Sequence, residues 1–201
     1  LEQIALPLKA GQGPARIAVG VGNAHVAEAI AAPERWPFRT AVLTGPPRSG
    51  KSLFARWFVE SGAGEALDDA QIMDEDVVFH RWNRAQENGT ALLIVGGEPP
   101  WNITLADLRS RLGGSLQLEI GQPDDDMARD LLLSLAEERG LPLPTDAANY
   151  MIPRANRSYA DIEKLVAAVD RLSLERKAPP TQGIWRAALE AVHGPDEPRL
   201  L

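Results

Sequence analysis

The residues with the clearest chemistry are Gly45, Pro46, Pro47, Arg48, Ser49, Gly50, Lys51 and Ser52, which together satisfy the pattern GxxxxGK[ST]. The pattern suits a polyphosphate for physical reasons. Glycines let the backbone fold around phosphate oxygens so that N–H groups point inward. The start of the following helix adds partial positive charge. Lys51 is expected to reach the terminal phosphates, and the Ser52 hydroxyl to ligate Mg²⁺. Such a loop works with an acidic strand end that orients the metal and a water. Asp68 and Asp69 are the candidates for that role, with Asp68 sharing the metal with Ser52. The plainer readings are a chance turn at residues 45–52 and an ordinary acidic turn at 68–69, where Asp74, Glu75 and Asp76 lie close by. No His/Ser/Asp nucleophile set or metal-ligand cluster stands elsewhere. His25, His80 and His193 fall in no metal spacing.

These residues need elements to hold them. Thr40–Thr44 reads as a short buried strand that leads into the loop. Lys51 to about Glu60 reads as a helix burying Leu53, Phe54, Trp57 and Phe58, and ended by Ser61-Gly62-Ala63-Gly64. A weak strand leads to Asp68. Residues 74–88 form an amphipathic helix with Val78, Trp82 and Ala85 on one side. Thr90 to Val95 is the best strand in the chain, and Leu116, Leu118 and Ile120 alternate as in one more. A short helix is expected over 24–31. The character changes after Gly121, where helices are expected over about 124–139, 145–154, 158–175 and 181–192. The fold class is therefore α/β followed by a small all-helical domain. The expected organisation is an extended arm over residues 1–12, a nucleotide-binding domain over 13–121 and a helical domain over 122–201. Trp36, Trp57, Trp82, Trp101 and Trp185 read as core or interface residues.

Bulk properties narrow the functions. The formal net charge of -7 argues against a free-standing DNA or RNA binder, which needs a basic surface to displace counterions. There is no cysteine, which excludes disulfides and thiolate metal sites and fits a cytoplasmic chain. The longest aliphatic run, Ala91 to Val95, is far too short to span a bilayer, and the first residues lack the basic start and apolar core of a signal peptide.

Four further segments resemble the Hda-like, DnaA-related AAA+ family. Gln3-Ile4-Ala5-Leu6-Pro7-Leu8 is similar to the peptide with which such proteins bind the β subunit sliding clamp of the DNA polymerase. An extended, proline-stiffened peptide loses little entropy on docking, with Leu6 and Leu8 as apolar anchors and Gln3 supplying amide hydrogen bonds. Gly20 to Ala27, which includes Asn23, resembles a segment that lies near the nucleotide base. Leu105-Ala106-Asp107-Leu108-Arg109-Ser110-Arg111-Leu112 resembles the segment whose second arginine is the arginine finger, which makes Arg111 the candidate. The plain alternative for Arg111 is an ion pair with Asp107, four residues earlier on a helix. The helical tail resembles the AAA+ lid.

The sequence also departs from the family. Ala160 falls where a sensing arginine is expected, with Arg157 one turn earlier, and Gly97 stands where a polar first sensor is expected. The short spacing from Lys51 to Asp68 leaves no room for one strand and helix, so a reduced parallel sheet of about four strands is expected. The resemblance implies a regulator of replication initiation that binds ADP or ATP with Mg²⁺, docks on the clamp, and offers Arg111 to ATP-bound DnaA. With both sensors altered, little or no hydrolysis by the chain alone is expected. Too few residues follow the lid for a DnaA-type DNA-binding domain, so no direct specific DNA binding is expected; the short apolar runs lead to the expectation of no membrane association. A homodimer is compatible with the family. Two other readings stand beside this one: an autonomous small phosphate-loop ATPase, and a nucleotide-bound adaptor with no catalytic contribution.

Overall fold

The structure is a computed structural model that describes residue 20 and residues 22–194. The segment Gln3 to Leu8 lies outside the described residues. The chain divides into two compact units after Gly121.

In the first unit the elements run α1 (Ala24–Ile30), β1 (Thr40–Thr44), α2 (Lys51–Glu60), β2 (Glu65–Leu67), α3 (Glu75–Asn88), β3 (Leu92–Val95), α4 (Ala106–Gly113) and β4 (Leu116–Glu119). The four strands form one parallel sheet in the order β2-β3-β1-β4. Parallel sheets need both faces covered, which is why β1 and β3 read as nearly unbroken apolar runs. Val42, Leu92 and Ile94 pack with Val78, Trp82 and Ala85 of α3 and with Leu108 and Leu112 of α4. The pleat turns the alternate residues Ala41, Leu43, Leu93 and Val95 to the opposite face, and all four are buried. On α2 the buried residues are Phe54, Ala55 and Phe58. Leu53 and Trp57, expected in the core, are only half-buried. A ten-residue helix at 3.6 residues per turn presents too narrow a stripe to bury four large neighbours, and the small Ala55 takes the inner position. Trp36 stacks on Phe58 with ring centroids 5.2 Å apart and donates its Nε1–H to the Ala29 carbonyl, tying α1 to α2.

The approach of α2 to the sheet depends on Gly64. A Cβ there would lie 2.2 Å from the Ala91 carbonyl oxygen and 2.8 Å from the Phe58 ring. The same carbonyl accepts the Glu65 N–H at 2.9 Å, which starts the β2–β3 pairing. Gly64→Ala is expected to destabilise the unit by about 3 kcal/mol, the upper part of the range for overpacking. A fall in the urea midpoint at unchanged m-value would register it.

The second unit is helical: α5 (Asp125–Glu138), α6 (Thr145–Met151), α7 (Tyr159–Arg176) and α8 (Gln182–His193). Asp124 caps α5 by accepting the Met127 N–H at 2.8 Å, and Ser158 caps α7 by accepting the Asp161 N–H at 3.1 Å. The core is built from Leu132 and Ala136 of α5, Met151 of α6, Leu165 and Val169 of α7, and Ile184 and Ala188 of α8. Arg157 forms a 2.7 Å ion pair with Asp125 within this unit. No helix among the described residues is long and apolar enough to cross a membrane.

Candidate functional site

The cavity with the densest chemistry, about 440 Å³, opens beyond the carboxyl ends of the strands, where ligands of open α/β sheets bind. One wall is the turn between β1 and α2. The turn is tight because Gly45 adopts φ 151°, and a Cβ there would meet the Ile120 carbonyl oxygen at 2.9 Å. Arg48 and Gly50 follow in the left-handed region, at φ 65° and 88°. Gly50 is the N-cap of α2 and makes no side-chain cap, so the first N–H groups of the helix are left for another acceptor. Ser49 is buried inside the turn, and its Oγ has no hydrogen-bond partner. A buried hydroxyl without a partner is costly, so a ligand that satisfies it gains binding energy. Cavity size, bare helix start and the Ser49 hydroxyl fit a polyphosphate.

Lys51 is folded back, its Nζ donating to the carbonyls of Gly45 at 2.8 Å and Pro46 at 2.7 Å. Burial pulls its pKa below the ordinary lysine value, against the opposing pull of the carboxylates Asp68, Asp69 and Glu98. The opposite wall holds Asp68 and Asp69, at the end of β2, with Gln71, Gly97 and Glu98. Asp68 accepts the Asp69 N–H at 3.0 Å, and Asp69 sits at φ 53°. Among the described residues no three His, Cys, Asp or Glu side chains gather as a metal cage. Ser52 and Asp68 both line this cavity.

The cavity thus brings together Gly45, Pro47, Arg48, Ser49, Gly50, Lys51, Ser52, Asp68 and Asp69 of the residues singled out from the sequence. Pro46 contributes its carbonyl to Lys51. Asn23 does not line it. Its buried Oδ1 accepts the Gly20 N–H at 2.9 Å, closing the turn before α1. Gln71 and Glu98 also line it, and neither belongs to a loop motif. The only sequence signal for Gln71 is a polar residue shortly after the acidic pair.

Arg111 lies apart from this cavity, in the last turn of α4. It makes no ion pair with Asp107. Its guanidinium lies 4.6 Å over the Phe79 ring and 4.7 Å over the Trp82 ring, both on α3, and its Nε is buried without a partner. The same face of α3 anchors the other end of α4. The Glu75 carboxylate accepts the Thr104 N–H at 2.9 Å, the Thr104 hydroxyl at 2.8 Å and the Leu105 N–H at 2.6 Å. These donors hold the Glu75 pKa below its ordinary value. A depressed carboxylate adds stability above its unfolded pKa and loses it as pH falls through the folded one. Stability should therefore decline on acidification below the ordinary glutamate range, and Glu75→Gln should flatten that acid limb in urea midpoints measured against pH.

Residues 125–181 match the family described as Hda, lid domain. A stretch of 113 residues is 30% identical to the chromosomal replication initiator protein DnaA of Thermomicrobium roseum; it covers 53% of this chain and 24% of that protein, so the match spans about a quarter of the relative's length. Domain III of the Thermotoga maritima replication initiation protein DnaA is similar in structure at a TM-score of 0.72 and 13% identity, over 89% of this chain and 95% of that one. The FIGL-1 AAA domain, solved in complex with ADP, is similar at a TM-score of 0.61 and 13% identity, over 98% and 89%. Identities this low speak for the fold alone. The sequence match and the lid match point the same way: the chain is similar to the Hda-like, DnaA-related AAA+ proteins.

Proposed function

We propose that the chain is a nucleotide-binding regulator of replication initiation that docks on the polymerase sliding clamp and stimulates ATP hydrolysis by DnaA. The observation that carries the nucleotide reading is the cavity at the bare N-terminus of α2, where Lys51 and Ser52 face Asp68 and Asp69. ADP or ATP would be held by the N–H groups of residues 45–52, by Lys51 and by the Ser49 hydroxyl. Ser52 and Asp68 would share Mg²⁺, which when bound neutralises phosphate charge. Two features support weak turnover by the chain itself: Gly97 brings no side chain to the cavity, and Arg157 is paired with Asp125. A similar AAA domain is solved with ADP, which supports an adenine nucleotide as the ligand.

The position of Arg111 supports action on a neighbour's site. It stands outside its own cavity, in the last turn of a helix. Clamp docking is proposed from the sequence of Gln3, Ile4, Leu6, Pro7 and Leu8. The deciding experiment measures ATP hydrolysis by DnaA with and without this protein and the DNA-loaded clamp. Stimulation that needs both is expected, and it should vanish, together with clamp pull-down, when residues 1–8 are deleted. No change in hydrolysis would leave an adaptor without catalytic contribution. Turnover by this chain alone would leave an autonomous ATPase.

A further inference from the structure

We infer that Gln71 is a ligand-contacting residue of the phosphate-loop cavity, its side-chain amide standing where Gly97 has no side chain to offer. The inference rests on the nucleotide-binding reading above and adds a residue that no motif names.

Gly97 follows β3, and its carbonyl accepts the Gly45 N–H at 3.2 Å, so it borders the start of the phosphate loop. A side chain at this position would enter the cavity beside the loop. Gln71 borders that space. A Cβ on Gly97 would lie 3.4 Å from Gln71 Cγ, 3.5 Å from Cδ and 3.7 Å from Nε2. Gln71 therefore reaches across from the end of β2 to lie beside the place where a side chain at 97 would begin.

Its backbone is well held for this. It sits in a single 3₁₀ turn, Ala70–Ile72, whose first residue is 1% exposed in the core. The turn is closed by the Ile72 N–H on the Asp69 carbonyl at 3.1 Å and the Met73 N–H on the Ala70 carbonyl at 3.2 Å. Gln71 Oε1 is buried and has no hydrogen-bond partner. Such an acceptor is costly unless something in the cavity satisfies it.

The chemistry of the cavity says what would do so. Asp68, Asp69 and Glu98 only accept hydrogen bonds when ionised, and so do phosphate oxygens. Lys51 and the backbone N–H groups only donate. An amide does both: a rotation of the side chain that brings Oε1 to the cavity would let Nε2–H donate to a terminal phosphate oxygen while Oε1 accepts from a water held against that phosphate. It exchanges no proton near neutral pH, so its part is to position a water and to register the terminal phosphate.

The test is isothermal titration calorimetry of the full chain with Mg²⁺-ATP and Mg²⁺-ADP, with thermal unfolding to confirm that each variant is folded. Gln71→Ala should bind ATP about 10-fold more weakly, the loss of one hydrogen bond to a charged group. The near-isosteric Gln71→Glu should bind more weakly still, because it adds a carboxylate facing the phosphates beside Asp68 and Asp69. Adding Gly97→Asn to Gln71→Ala should restore most of the affinity, since it returns an amide to the same corner of the cavity. Unchanged affinity in Gln71→Ala, or a loss that Gly97→Asn leaves unrepaired, would overturn the inference while the nucleotide reading stands. Absence of nucleotide binding by the wild-type chain would overturn both.

Discussion

Arg111→Ala should abolish the stimulation of DnaA ATP hydrolysis while leaving the chain's own nucleotide affinity unchanged. A guanidinium supplied across an interface neutralises charge that develops on the transferred phosphoryl group, and its loss costs on the order of 10³-fold or more in rate. Unchanged affinity follows from geometry, because Arg111 does not line the cavity that holds Lys51. The stacking on Phe79 and Trp82 adds a second expected result. Removing the guanidinium forfeits two cation–π contacts, roughly 1–2 kcal/mol of stability in all. To act on a partner, Arg111 must leave those rings or present its outer edge past them, so docking has to compensate for whatever contact is given up. Arg111→Lys keeps the charge but lacks the planar fork and the stacking surface, and it should recover little of the stimulation. Stimulation retained by Arg111→Ala would remove this residue from the mechanism, and a lost affinity for nucleotide would mean the cavity and α4 are coupled.

Lys51→Ala should weaken Mg²⁺-ADP and Mg²⁺-ATP binding by about 100-fold, the equivalent of one or two charge-assisted hydrogen bonds. The ammonium is held by the Gly45 and Pro46 carbonyls. The loop is therefore shaped around the lysine, and a polyphosphate need only draw Nζ from two neutral acceptors to charged ones. Burial disfavours the ammonium, but Asp68, Asp69 and Glu98 offset this and help keep it charged for the task. The alanine variant also leaves two loop carbonyls without their donor, so a stability loss of about 1 kcal/mol should accompany the affinity loss. Calorimetry and a urea titration separate the two effects. Affinity unchanged in Lys51→Ala would mean that nucleotide is held elsewhere, and the proposed function would lose its site.

The unbroken apolar runs of β1 and β3 and the helical spacing of Val78, Trp82 and Ala85 are local patterns, and the structure places each in the expected element. The helical second unit was legible for the same reason, since its caps and its stops at Gly140 and Pro142–Pro144 act within a turn or two. The short spacing from Lys51 to Asp68, set against the family the chain resembles, implied a sheet of about four strands, and the described residues form four.

What failed to show locally was each side chain's choice among rivals. Arg111 could pair with Asp107 on its own helix or stack on α3. The second wins because the α3–α4 packing brings Phe79 and Trp82 under a charge that Asp107 would have met in open water, where such pairs gain little. Asn23 uses its Oδ1 to accept the Gly20 N–H and close the turn before α1, a contact that its type alone did not announce. Leu53 and Trp57 are apolar, yet they lie off the narrow stripe of α2 that Phe54, Ala55 and Phe58 bury.

By itself, then, the chain's order of residues determined the loop that can wrap phosphates and the elements on either side of it. These depend on contacts within a few residues and on apolar periodicity. Only the tertiary structure decided that Gln71 lies beside Gly97 and that Arg111 rests on two rings. Both pairings join segments far apart in the chain, and they arise from parallel strand pairing and helix packing that no local pattern encodes.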